Sequence, residues 1–124
     1  MEKIQILSIG RDPVLLQKLS GFINENPKWE STATVDDEVA IEIFHQRKFD
    51  IIMFIDNIEE ASQKKLTSIF TFNDPEIIFI SHQGDSTGLL VGEIQEALEK
   101  RRKPVNIMDI TSQASNDKKP EEEL

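Results

Sequence analysis

A three-layer α/β sandwich around a parallel sheet is the fold class this sequence predicts, and three observations predict it. Strand-like apolar runs alternate with helix-spaced segments four times along the chain. Two of the runs, Phe49 to Ile55 and Ile77 to Ile80, are apolar at almost every position, as strands buried on both faces are. At 124 residues the chain has room for one core and no second.

Each element has its own justification. Ile4-Gln5-Ile6-Leu7-Ser8-Ile9 is a short strand ended by the turn-former Gly10. Asp12 then stands as an N-cap with Pro13 at the first helical position, and Leu15, Leu16, Leu19, Phe22 and Ile23 form one stripe. Asn24 to Pro27 end that helix, and Trp29 to Val35 alternates as a second strand. Asp36 or Asp37 caps a second helix, in which Val39, Ala40, Ile43 and Phe44 recur at helical intervals. Phe49 to Ile55 is the third strand. Leu66, Ile69 and Phe70 mark a third helix, stopped by Asp74-Pro75. Ile77 to Ile80 is the fourth strand, and the third and fourth are expected inside the sheet. After a small and polar loop, Ser81 to Gly88, a fourth helix runs through Leu90, Val91, Ile94, Ala97 and Leu98. Lys100 to Lys103 close it with cations suited to a helix C-terminus. Pro104 breaks it, and Val105 to Ile110 is a candidate fifth strand. The chain therefore divides into a domain over 1–111 and a polar, acidic tail over 112–124, which has no apolar face to bury and is expected to be disordered.

Composition excludes several function classes. Fourteen basic against 23 acidic residues give a net charge of −9, and the pI is about 4.7. That sign argues against non-specific binding to nucleic acid or an anionic membrane surface. The absence of cysteine removes disulfides, thiol catalysis and thiolate metal sites. No apolar run approaches a membrane span and the first residues have no signal-peptide pattern, so a cytoplasmic location is expected.

The stretch Ala40-Ile41-Glu42-Ile43-Phe44-His45-Gln46-Arg47-Lys48-Phe49-Asp50-Ile51-Ile52-Met53-Phe54 resembles the second helix and third strand of the receiver domain of two-component response regulators. The resemblance covers roughly residues 3 to 82. It implies a flavodoxin-like fold with strand order 2-1-3-4(-5), the candidate fifth strand standing beside the fourth, and a shortened C-terminal end. In that family two acidic residues after the first strand hold Mg²⁺, and an aspartate ending the third strand takes the phosphoryl group. A Thr or Ser ends the fourth strand and a Lys, followed by Pro, ends the fifth. The metal is needed because attacking carboxylate and phosphoryl donor are both anionic. Carried onto this chain, the acidic pair falls on Gly10 and Arg11, and the phosphoacceptor position falls on Ile55, one residue before Asp56. Ser81 matches the hydroxyl position. Lys103-Pro104 stands at a helix end and does not match the lysine. The departures fall on the chemistry and spare the scaffold, which implies a pseudo-receiver with no Mg²⁺ site.

Asp56 carries the rival reading. A one-residue bulge would bring it to the phosphoacceptor position, with Asp12 standing in as a metal ligand. The plainer alternative has Asp56 and Asn57 capping the third helix or turning the loop, because a one-residue slip reverses side-chain facing. Arg11 either pairs with Asp56 across the strand ends, as a fixed cation in place of the metal, or is solvated. Gly84, Ser86, Thr87 and Gly88 form a candidate anion loop through backbone N–H groups. Its spacing matches neither phosphate fingerprint, and a loop with a Ser or Thr cap is the plainer reading. His45 and His82 belong to no ligand-spaced cluster. Trp29 and Phe72 are expected to be partly buried packing residues, and Lys100 to Lys103 a solvated helix end.

The sequence thus reads as a stand-alone pseudo-receiver: not an enzyme, without cofactor or metal, acting on a protein partner or as a homodimer. A phosphoacceptor receiver using Asp56 with Mg²⁺ and an anion- or nucleotide-binding protein using Ser81 to Gly88 are the alternatives. Lacking a fifth helix, the sheet is expected to be under-covered near strands one and five, with assembly around the fourth strand and fourth helix.

Overall fold

Strand β1 (Ile4–Gly10) lies between β2 (Trp29–Thr34) and β3 (Ile51–Ile55), and β4 (Ile78–His82) pairs with the far side of β3. All three pairings are parallel, and the order is β2-β1-β3-β4. This computed structural model describes residues 3–102. The candidate fifth strand Val105 to Ile110, the pair Lys103-Pro104 and the tail lie outside the described residues.

Burial follows the order. The five residues of β3 and the last five of β1 are all buried, which is why both strands read as unbroken apolar runs. The expectation that the third and fourth strands lie inside holds for β3, while for β4 it turns on the candidate fifth strand, which lies outside the described residues. Among the described residues β4 is an edge, with Ile78 and Phe79 only partly buried, and β1 takes the inner place. An apolar run signals burial of faces; it says nothing of hydrogen-bonded neighbours.

Helices α2 (Asp37–Gln46) and α3 (Glu60–Asn73) cover one face. Leu7 and Ile9 of β1 and Ile52 and Phe54 of β3 meet Phe44, Leu66 and Phe70 there, with the rings of Phe44 and Phe70 centred 4.4 Å apart. Helix α1 (Pro13–Asn24) covers the other face and buries Leu16, Leu19, Ser20 and Ile23. The buried hydroxyls on this face are satisfied together, Ser8 and Ser20 each lying 2.8 Å from Ser31 Oγ. Two sequence expectations fail on the helices: Phe72 is 88% exposed on α3 and Val39 is 39% exposed on α2. Trp29 is buried.

Helix α4 (Thr87–Arg102) begins on the α1 face. A Cβ on Gly10 would point at Leu16 of α1, so Gly10 faces that helix. Gly10, Ile55 and His82 share one register row of parallel strands and hence one face. His82 meets Glu93 of α4 at 2.6 Å, which places the first turns of α4 beside α1. Leu90 and Ile94, from the same turns, are fully buried. Compact units divide the chain after Ile94. In the second, Lys100 pairs with Glu96 at 3.9 Å. No helix of the described residues is long and apolar enough to cross a membrane.

Candidate functional site

Open α/β sheets place their sites at the C-terminal ends of the strands, and here those ends carry Gly10, Thr34, Ile55 and His82. On the α1 face Gly10 and Ile55 of this row are packed closed. A Cβ at Gly10 would sit 3.5 Å from Ile55 Cβ and from Leu16 Cδ1, and Ile55 is 1% exposed. The positions that the resemblance assigns to a metal ligand and to the phosphoacceptor are packed against each other.

Arg11 turns to the opposite face. Its Nη1 donates to the Val35 carbonyl at 2.8 Å, its Nη2 to Asp37 Oδ1 at 2.8 Å and its Nε to Glu59 Oε1 at 2.9 Å. One guanidinium thus joins the end of β1, the start of α2 and the loop entering α3. Lys65 adds its ammonium 3.7 Å from Asp37 Oδ2. Burial raises the Asp37 carboxyl, but hydrogen bonds from Ser62 and Arg11 and then the Arg11 and Lys65 charges outweigh it and hold the group below the ordinary value. Burial likewise opposes the charge on Arg11, and the bonds to Asp37 and Glu59 outweigh it and raise the guanidinium. Glu59 is held low by its own backbone N–H and by Arg11.

The expected pairing of Arg11 with Asp56 does not occur. Asp37 and Glu59 take the guanidinium because both lie on the α2–α3 side to which Arg11 points. Asp36, not Asp37, caps α2, accepting from Glu38 N at 2.7 Å and Val39 N at 3.1 Å. Glu59 occupies the N-cap of α3 without a side-chain cap bond, since its carboxylate is given to Arg11.

Asp56 turns the loop, as the plainer alternative has it, and caps nothing. It adopts φ +63°, a left-handed conformation that Asp tolerates better than most residues. Its N–H donates to the His82 carbonyl at 2.7 Å, and its Oδ1 accepts from Gly84 N at 3.4 Å. Asp12 caps α1, accepting from Val14 N at 3.0 Å and Leu15 N at 3.4 Å. Ser81 is exposed and lies opposite Phe54 in register, on the face away from Ile55. The hydroxyl and phosphoacceptor positions are not brought together.

The presumed loop Ser81 to Gly88 is shorter than the sequence suggests. Strand β4 continues through His82 and α4 starts at Thr87. Gly84 takes φ +82° and gives its N–H to Asp56, Ser86 Oγ accepts from Leu89 N at 3.2 Å as a cap, and Thr87 and Gly88 lie in the first helical turn. Asp85 pairs with Lys18 at 3.5 Å.

His82 and Glu93 form the polar pair that sequence reasoning missed. His82 is fully buried and its Nδ1 lies 2.6 Å from Glu93 Oε1, while its Nε2 has no partner among the described residues. A signal was present. Glu93 stands between Leu90 and Ile94 on the stripe that α4 buries, where an acid needs a partner. Among the described residues no three His, Asp or Glu side chains converge in a metal-holding set.

No family model matches this chain, and no curated protein matches it. Solved structures do. The signal receiver domain of an HD domain-containing protein from Pseudomonas fluorescens superposes with TM-score 0.57 at 16% identity, over 82% of this chain and 98% of that one. A response regulator protein from Burkholderia multivorans gives 0.50 at 15% identity, over 86% and 99%. A pilus assembly-related protein from Burkholderia pseudomallei gives 0.51 at 17% identity, over 76% and 72%. The chain has the receiver fold.

Proposed function

We propose that this receiver-fold chain is a signalling or regulatory protein that works by protein–protein contact and without phosphoryl transfer, a pseudo-receiver. The observation that carries the reading is the fate of Gly10 and Arg11. Gly10 packs on Ile55 and Leu16, and Arg11 spends its donors on Val35, Asp37 and Glu59. The two positions that would hold the metal in a receiver are thus one packed shut and one a cation, which would repel Mg²⁺ and is itself bound to the segments leaving β2 and β3.

A second reading, phosphorylation of Asp56, draws on its place at the strand ends and on its carboxylate within reach of the Gly84 N–H. Against it, Asp12 is committed to the cap of α1, and Asp56 stands one position past the row that Ile55 occupies. The two readings part in one experiment. The protein is incubated with a small-molecule phosphodonor and Mg²⁺ and read by intact mass. No adduct is expected. A stoichiometric adduct that vanishes in Asp56→Asn would overturn the pseudo-receiver reading.

A further inference from the structure

Cations on this chain are not all used alike. Arg11 pairs with Asp37 and Glu59, Lys18 with Asp85, Lys64 with Glu60, Lys65 with Asp37 and Glu38, and Lys100 with Glu96. Arg47 and Lys48 make no ion pair among the described residues, in a chain with 23 acidic residues to 14 basic. Both stand at the end of the sheet opposite Arg11 and Asp56, where the chain leaves α2 and approaches β3.

The two helices of this face end beside them. Helix α2 stops at Gln46, where Arg47 turns extended with φ −158°, and α3 stops at Asn73. A cleft of about 300 Å³ opens between the two ends. Its floor is the buried rings of Phe44 and Phe49, stacked at an interplanar angle of 11° with centres 6.4 Å apart. The Arg47 guanidinium lies 5.0 Å from the centre of the Phe49 ring, and its Nη2 donates to Thr32 Oγ1. A ring and a strand hydroxyl thus orient it, and most of its donors stay unused. Lys48 is exposed next to it in the chain and also lines the cleft. Asp74 is the one carboxylate of the lining, and its Oδ1 already accepts from Glu76 N at 3.1 Å. Phe72, the residue before Asn73, is 88% exposed and extends the apolar surface at this end of α3.

We propose that the cleft docks an acidic segment of a partner protein, with carboxylates on Arg47 and Lys48 and a neighbouring apolar side chain over Phe44 and Phe49. Charge complementarity selects the occupant. Two cations without carboxylates, in a chain of net charge −9, make a local positive site in a negative surface. A guanidinium already held in place loses little freedom on taking a carboxylate. The same net charge disfavours nucleic acid and anionic membranes, and the aromatic floor asks for an apolar group that a free inorganic anion lacks. The proposal rests on the reading that the chain works by protein contact, and it gives that partner a chemistry. The two fail separately. An adduct on Asp56, at the other end of the sheet, would end the pseudo-receiver reading and leave the cleft as it is. A cleft that takes no acidic segment would leave the packing of Gly10 and the bonds of Arg11 untouched.

The test is a titration of the full chain with the fluorescein-labelled peptide Glu-Glu-Phe-Glu-Glu, read by anisotropy and by backbone amide NMR shifts. Saturable binding is expected, with shifts at Phe44, Arg47, Phe49 and Asn73. Arg47→Glu and Lys48→Glu should each weaken it at least about tenfold. Lys48 is exposed and unpaired among the described residues, so its variant keeps the fold if that of Arg47 does not. Lys64→Glu, toward the other end of α3, should bind as the wild type does. The peptides Gln-Gln-Phe-Gln-Gln and Glu-Glu-Gly-Glu-Glu should each bind at least about tenfold more weakly. No saturable binding, equal binding of the glutamine peptide, or an affinity unmoved by Lys48→Glu would overturn the proposal. Two further results would overturn it by naming another occupant. Shifts at Arg47 and Phe49 that move with protein concentration alone would assign the cleft to a second copy. Shifts there that move on Glu121→Gln, Glu122→Gln and Glu123→Gln in the full chain would assign it to the chain's own acidic end.

Discussion

The guanidinium of Arg11 is hydrogen-bonded to segments leaving two other strands, so its removal should be felt in stability. Arg11→Ala is expected to lower the unfolding free energy by about 1 kcal/mol, because the pairs are only partly shielded from water. Chemical denaturation measures it, and Asp37→Asn should reproduce most of the loss. The pH dependence follows from the sign of the shift. The Asp37 carboxyl titrates lower folded than unfolded, so its contribution is present above the ordinary value of 3.8 and is lost as pH falls through the folded value. Arg11→Ala should therefore flatten the acid limb of the stability profile, and a limb as steep as in the wild type would contradict the link. Gly10 supplies a second residue-scale prediction. Gly10→Ala meets only ordinary contacts at 3.5 Å and should be tolerated, whereas Gly10→Asp buries a carboxylate against Ile55 and Leu16. A loss of at least about 2 kcal/mol is expected, and added Mg²⁺ should not restore it.

Between elements, the junction of β4 with α4 depends on His82 and Glu93. Truncation by Glu93→Ala leaves a buried imidazole nitrogen without its partner, so about 1–3 kcal/mol should be lost. Glu93→Gln keeps a hydrogen-bonding group at the same place and should lose less. If the two variants unfold at the same denaturant concentration, the bond is not what holds the junction. At the other edge, Asn24→Ala should accelerate exchange of the Ser31 amide, whose N–H would lose its acceptor. Exchange at the wild-type rate would show that Asn24 does not guard β2.

For the whole molecule, charge opposes self-association. Each chain carries a net charge of −9, so two copies repel at a distance. Salt screens that repulsion. A homodimer, should it be the protein contact proposed above, is expected to tighten as salt is raised from low ionic strength, read as a falling dissociation constant by sedimentation. Weaker association in salt would mean that ion pairs hold the copies together.

Much of this was legible along the chain because it depends on local chemistry. Asp12-Pro13 announces the start of α1, Asp74-Pro75 the end of α3, and the unbroken run Ile51 to Ile55 a strand buried on both faces. The lack of an acidic pair at Gly10 and Arg11 is likewise a matter of sequence alone. What the tertiary structure decided is which side chains meet. Arg11 chose Asp37 and Glu59 over Asp56 because strand alternation and the helix positions put them on one face, and no local pattern encodes that. Val39 fits a helical stripe and Phe72 is expected to pack at a helix end, and both face water, since what a side chain packs on is set by its neighbours in space. The face taken by the first turns of α4 is set by the contact of Glu93 with His82 and the burial of Leu90 and Ile94. Such a contact is a relation between a strand and a helix that only packing decides, and periodicity carries no trace of it.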